Sequence, residues 1–404
     1  MSVGPNAVKS LPGIDQSEFE ARARRAAEMV READLDAFLV HSNDGEMANV
    51  RYFSDYWPVF ESAGVLIPAD GEPALLIGPE AETFARSRSR IPHIYKLLEY
   101  REPADPEYPD IPVSTFRHVF QRHCRRQPRR IGIGGWAVLP LPVWEGLKEA
   151  WPEAEIVRAD DIMRRLRCMK SPAEVACLAA AFRIAEQALG VVIDAMRPGM
   201  TELELVGVAQ KEIYAAGAEY EGMPQYVLSG PNSTHAMSRA SSRRVRAGEV
   251  VQLNISARVS GYSSGVGRPV CLGAMPDTVR ELVEFGLRAH RWTIDHLRPG
   301  VPAAEIAREY GEWVRQQGYS EYLLYGPCHG LGIIEVEPPW VETTSCYDLA
   351  PGMTFQADNF FYTPEGSRLA ESGCFGLRWE DGVAITGNGN MLFSQHRWEC
   401  IELT

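Results

Sequence analysis

AMRPGMTELELVGVAQKEIYAAGAEY, residues 195–220, and HLRPGVPAAEIAREYGEWVRQQGYSEY, residues 296–322, are built alike. Each passes through Arg-Pro-Gly, continues as a helix of similar length and stops at a glycine. Two copies are too few for a solenoid. They predict a duplicated α+β half, packed about a pseudo-two-fold axis with a site between the copies. Strand-like runs follow each helix: QYVLSG at 225–230, VVQLNISA at 250–257 and GRPVCLG at 267–273 after the first, TFQADNFFYT at 354–363 and FGLRWEDGVAIT at 375–386 after the second.

Upstream, Ser171-Pro172-Ala173-Glu174 reads as a capping box, with Ser at the N-cap, Pro at N1 and Glu at N3, opening a helix that runs to about Met196. A domain boundary falls just before it, dividing 1–163 from 164–404. In the first part, 16–33 carries apolar residues at helical spacing (Phe19, Ala23, Ala26, Met29, Val30). Short β-rich runs follow at 36–41, 64–69, 73–78, 130–135 and 155–159, with helical stretches at 80–89 and 141–150. Strands separated by helices predict a three-layer α/β domain. The proline-rich segment 101–112 is a surface loop.

Composition bounds the function. The 404 residues are 45% hydrophobic and 24% charged, which suits two globular domains. A net charge of -13 repels phosphate backbones and argues against a nucleic-acid partner. No unbroken apolar run approaches the ~18 residues of a membrane helix, so no membrane partner is expected. The start, MSVGPNAVKSLPG, shows no signal-peptide pattern. The cysteines at 124, 168, 177, 271, 328, 346, 374 and 400 form no CxxC pair, so reduced thiols and a cytoplasmic location are expected. No GxGxxG or GxxxxGK stands in a usable context, and no cofactor is expected.

Four segments could carry chemistry. SGPNSTHAMSR at 229–239 delivers His235 after a turn. LNISARVSGYSSGVGRPV at 253–270 is a hairpin with Asn254 and Gly265 eleven apart. YGPCHGLG at 325–332 sets His329 among glycines. Asp358 in FQADNFFY pairs with Glu380 in LRWEDG. One His and two carboxylates on separate strands can form an acid/base cluster or three ligands to one metal. Cys328 beside His329 invites a nucleophile reading, but adjacent side chains diverge, so a buried inert thiol is expected.

These segments, in this order, resemble the pita-bread superfamily of prolidase, aminopeptidase P, methionine aminopeptidase and creatinase. The resemblance implies an α/β N-terminal domain and an α+β pita-bread catalytic domain with internal pseudo-two-fold duplication. Its metallopeptidases hold two metal ions with Asp, Asp, His, Glu and Glu. Here Asn254 and Gly265 stand at the two Asp positions, while His329, Asp358 and Glu380 match. The pattern is closer to creatinase, the metal-free branch, yet Gly267 and Ala63 stand where creatinase carries substrate-binding residues. His235 lies two residues before the catalytic-His position, which falls on Met237.

The expectation is therefore a creatinase-like hydrolase cleaving a C–N bond of a small polar molecule without metal. His235, His329, Asp358 and Glu380 would be catalytic. Arg268, Glu337, Glu61, Tyr226 and Tyr262 would bind substrate. Glu335 and Glu337 lie where relatives place a second His that touches substrate, and a carboxylate there could select a cationic group. Two alternatives stand beside this reading: a metal-dependent Xaa-Pro aminopeptidase or dipeptidase with a mononuclear site on His329, Asp358 and Glu380, and a non-catalytic binding module on the same fold. The loop at 49–62, which carries Trp57 and Glu61, is implied to reach a partner subunit's site, which makes the protein a homodimer.

Overall fold

The computed structural model describes residues 10–371 and 375–403. It divides into two units, residues 14–167 and residues from 168 onward joined by 10–13. The division falls a few residues past the expected boundary, because the helix Asp160–Cys168 completes the first unit.

In the first unit, β1 (Ala37–Ser42), β2 (Ala63–Pro68), β3 (Ala74–Ile77), β4 (Ile94–Lys96), β5 (Arg130–Gly134) and β6 (Glu155–Arg158) form a mixed sheet. Their order is β4-β3-β2-β1-β5-β6. β1 pairs antiparallel with β2 and parallel with β5. Every residue of β1, β2 and β3 is buried, as expected for strands covered on both faces. One core gathers Leu39, Leu76, Phe116, Phe120, Ile133, Leu147 and Trp151. The short β4 and the helix Phe116–His123 escaped the sequence pattern.

The second unit contains β7 (Tyr226–Ser229), β8 (Val250–Ile255), β9 (Arg258–Val259), β10 (Tyr262–Ser263), β11 (Val266–Leu272), β12 (Cys328–Gly330), β13 (Glu337–Trp340), β14 (Thr354–Tyr362), β15 (Gly376–Ile385), β16 (Asn390–Leu392) and β17 (Ile401–Leu403). β9 and β10 pair as a separate hairpin. The others form a nine-stranded sheet whose main path is β13-β12-β14-β15-β11-β8-β7. It is the predicted duplication. β7-β8-β11 and β12-β14-β15 are two antiparallel triplets, joined where β11 meets β15 at Gly267 opposite Glu380. The repeats also share a turn. The Gly199 N–H donates to the Val245 carbonyl at 2.8 Å, and the Gly300 N–H to that of Leu349 at 2.7 Å. Both glycines hold positive φ, 90° and 80°, where a Cβ would be strained.

The capping box forms as read. Glu174 N–H donates to Ser171 Oγ at 3.2 Å, and Ser171 N–H to Glu174 Oε2 at 2.7 Å. The helix it opens, Pro172–Ala195, corrects one expectation, since by length and composition it could cross a membrane. Leu178, Phe182, Ala185, Leu189 and Val192 are instead buried inside the unit, as in a core helix.

His41 on β1 is fully buried, with the Tyr100 hydroxyl 3.2 Å from its Nδ1. Burial pushes its pKa down to about 3. The folded state therefore stays unprotonated where the unfolded chain takes up a proton, below about pH 6.5. Its contribution to stability is complete above that pH and is lost as pH falls toward 3. The sign follows from a depressed histidine. His41→Gln should flatten the acid-side loss by up to one proton, about 1.4 kcal/mol per pH unit, in urea unfolding between pH 7 and 5. An unchanged slope would contradict the assignment.

Candidate active site

Register places the site. Tyr226 pairs with Asn254, Asn254 with Gly267, Gly267 with Glu380 and Glu380 with Asp358. Directly paired residues share a face and stand about 5 Å apart, so these five residues form one row across β7, β8, β11, β15 and β14. Side chains alternate along a strand, which adds Gln356 and Arg378 to that face and turns Asn359, Trp379 and Asp381 to the other. His329 enters from β12 opposite Gln356.

The row is buried and polar. Glu380, 1% exposed, accepts from Gln356 Nε2 at 2.5 Å and from Asn254 Nδ2. Asp358 accepts from the Tyr325 hydroxyl at 2.7 Å and lies 3.0 Å from Arg378 Nε. Arg378 Nη2 donates to that same hydroxyl and to the Ala236 carbonyl, both at 2.8 Å. The buried guanidinium is the counter-charge beside Asp358. The ring of Tyr226 lies 5.5 Å from the Arg378 guanidinium carbon.

Glu335 closes the cluster, buried beside Glu380. Burial pushes Glu335 up to about 7. Burial, with the charges of Asp358 and Glu335, pushes Glu380 well up. The charge on each bears on the proton of the other. His329 Nδ1 lies 2.9 Å from the Gly330 carbonyl, so Nδ1 carries the hydrogen and Nε2 a free lone pair. Nε2 is 4.0 Å from Glu335 Oε1.

Gly265 and Asn254 bear on metal binding. A Cβ on Gly265 would sit 2.9 Å from Glu380 Oε1 and 3.0 Å from Gln356 Nε2, so the cluster closes over the bare glycine. With Asn254 donating to Glu380, neither position supplies an anionic ligand. Among the described residues no three His, Cys, Asp or Glu converge on a common point to hold an ion. The residues present do not fit a carboxylate-bridged metal pair.

The remaining sequence-derived candidates fall elsewhere. His235 is exposed, two residues from Met237 and next to the Ala236 carbonyl that Arg378 grips. Arg268, expected to touch substrate, is fully buried on Asp381 and on the carbonyls of Gly267, Glu380, His396 and Arg397. Asp381, which also accepts from His290 and Trp398, is held down to about 2 despite burial, chiefly by the Arg268 charge. Tyr262 donates to Glu174 at 2.5 Å and so ties the hairpin to the capping box. Glu337 takes Lys170 at 2.8 Å, both side chains 2% exposed. Glu61 folds inward and accepts from Glu80 N–H at 3.0 Å. Burial pushes the Cys328 thiol far up, so it is inert. Arg378, Gln356 and Tyr325 were not among the candidates. Gln356 could have been found, being two residues before Asp358 on a strand.

Residues 176–387 match the model of metallopeptidase family M24, and residues 22–169 that of the Creatinase/Prolidase N-terminal domain. An Xaa-Pro dipeptidase of Pyrococcus horikoshii is 26% identical over 380 residues, 94% of this chain and 98% of that one. Two solved structures share the two-domain fold. The prolidase from Pyrococcus horikoshii OT3 superposes with a TM-score of 0.78 at 24% identity, over 94% of this chain and all of that one. The X-Pro aminopeptidase from Thermotoga maritima does so with 0.78 at 21%, over 94% and 99%.

The Lys170–Glu337 pair yields a prediction. Lys170→Met leaves Glu337 buried without that cation and should cost about 3–5 kcal/mol in unfolding free energy. Lys170→Met/Glu337→Leu should recover most of the loss. Full stability with an altered KM would instead return Glu337 to the substrate.

Proposed function

The chain belongs to metallopeptidase family M24, with a Creatinase/Prolidase N-terminal domain, and we propose that it is a dipeptidase hydrolysing the C–N bond of Xaa-Pro-type dipeptides. One observation carries this reading: the likeness to an Xaa-Pro dipeptidase runs through 94% of the chain, including the central strands that bear the acid cluster. The same family match corrects the creatinase-like, metal-independent expectation, because the family is one of metallopeptidases and the relative is named for peptide hydrolysis.

Each polar group of the cluster has a part in such a reaction. The free Nε2 lone pair of His329 is an acceptor for a proton of the attacking water. Glu380, pushed well up by burial and by the charges of Asp358 and Glu335, is a proton donor for the leaving nitrogen. Arg378, fixed by Asp358 and Tyr325, sets a positive charge beside the oxygen that becomes negative as water adds. Its burial keeps water from screening that charge.

The proposal includes a cytoplasmic homodimer. The segment 49–62, expected as a loop, is helical as far as Ser54, and the loop after it presents Phe60, 80% exposed, and Val59, 46% exposed, as an apolar tip suited to a second copy. Its Glu61 is turned inward, so the apolar tip would make that contact.

A panel of Xaa-Pro dipeptides, assayed with and without added Mn, Co or Zn, tests the activity. Hydrolysis should be measurable and should fall at least ~100-fold in Glu380→Gln, with the melting temperature within a few degrees of the parent. Turnover of guanidino acids with none of dipeptides would overturn the reading, as would binding without turnover of either class.

A further inference from the structure

The cluster has more acceptors than donors. Glu335 Oε1 is buried and meets no donor among the described residues. The same is true of Asn254 Oδ1 and Gln356 Oε1, on fully buried amides whose N–H groups are turned to Glu380. A buried acceptor left unpaired costs about 1–3 kcal/mol, so three in one place describe a ligand that brings its own N–H groups. A Cβ on Gly265 would stand 3.4 Å from Asn254 Oδ1 and nearer still to Gln356 and Glu380, so these side chains crowd about one bare glycine.

Charge points the same way. Three carboxyl groups, Glu335, Asp358 and Glu380, meet one guanidinium, Arg378. That guanidinium is engaged by Asp358, Tyr325 and the Ala236 carbonyl. Lys170 is turned to Glu337 and Arg268 to Asp381. Among the described residues Glu335 has no Arg or Lys ion-pair partner, so a cationic group on a ligand would be its counter-charge.

We propose that Glu335 is a specificity-determining residue, selecting dipeptides that carry a basic side chain on the residue before the scissile bond. The ammonium or guanidinium would donate to Glu335 Oε1, with the amide oxygens of Asn254 and Gln356 as further acceptors. This deepens the dipeptidase reading and rests on it.

Lys-Pro, Arg-Pro, Met-Pro and Leu-Pro share the terminal ammonium, so comparing them isolates the side chain. The parent should show kcat/KM at least ~10-fold higher for the two basic substrates. In Glu335→Gln that ratio should fall to within ~3-fold of one, whatever the residual rate. Because the variant could lose turnover altogether, calorimetric binding of L-lysinamide against L-norleucinamide is measured on both proteins. The parent should prefer lysinamide and Glu335→Gln should not. Dipeptide hydrolysis with no basic preference, or a preference that survives Glu335→Gln, overturns the inference and leaves the dipeptidase reading standing. Lysinamide preference that depends on Glu335, with no dipeptide cleaved, overturns the dipeptidase reading and leaves the cation site. Stoichiometric Mn²⁺ binding that displaces lysinamide and is lost in Glu335→Gln would assign these acceptors to a metal ion and overturn the inference.

Discussion

Asp358 and Glu380 face each other on neighbouring strands, two buried carboxyl groups one cross-strand spacing apart. If both were ionised, their repulsion would be about 3 kcal/mol at ~5 Å in an effective dielectric of 20, before the cost of removing each from water. The second unit is organised to hold them. Arg378 stands two residues before Glu380 on the same face and meets Asp358 directly. Tyr325 bridges the two. Asn254 and Gln356 donate to Glu380, and the charge of Glu335 beside it helps push its pKa up. On the far face, Arg268 and His290 grip Asp381, and Arg268 also donates to the Glu380 carbonyl. Strand β15 is thus anchored from both sides where its carboxylate is most costly.

The duplicated fold explains why the site lies there and why it is lopsided. Each repeat supplies a middle and an inner strand, and the inner strands meet at the centre. In the first repeat the row reads Asn254 opposite Gly267, and in the second Asp358 opposite Glu380. The backbone offers two equivalent places for charge, and this chain fills one. Gly267 fits the contact as well as the pattern, since a Cβ there would come 2.7 Å from that of Glu380. The neutral half supplies amides, the charged half carboxylates, and the unpaired oxygens gather between them.

Much of this was legible in the residues. The repeated Arg-Pro-Gly, the capping box and the alternating strands gave the architecture because they report local backbone preferences. His329, Asp358 and Glu380 were picked out because carboxylates in apolar strand sequence need partners. The partners were harder. Glu337 reads like Glu335 in one dimension, and only folding brings Lys170 to the first and Glu380 to the second. Tyr262, Arg268 and Glu61 were polar residues near motifs whose real neighbours lie far along the chain or on the other face of a strand. Arg378 was not picked out as a site residue, because the contacts that place it, with Tyr325 and Ala236, come from other elements.

The central claim is that the row from Asn254 to Asp358, closed by Glu335, is where substrate is bound and cleaved. A crystal structure of Glu380→Gln soaked with an Xaa-Pro dipeptide tests it most directly. The account predicts the peptide nitrogen within hydrogen-bond reach of the cluster formed by Glu335, Asp358 and residue 380. A dipeptide bound in another part of the molecule, with the cluster's own hydrogen bonds undisturbed, would contradict it.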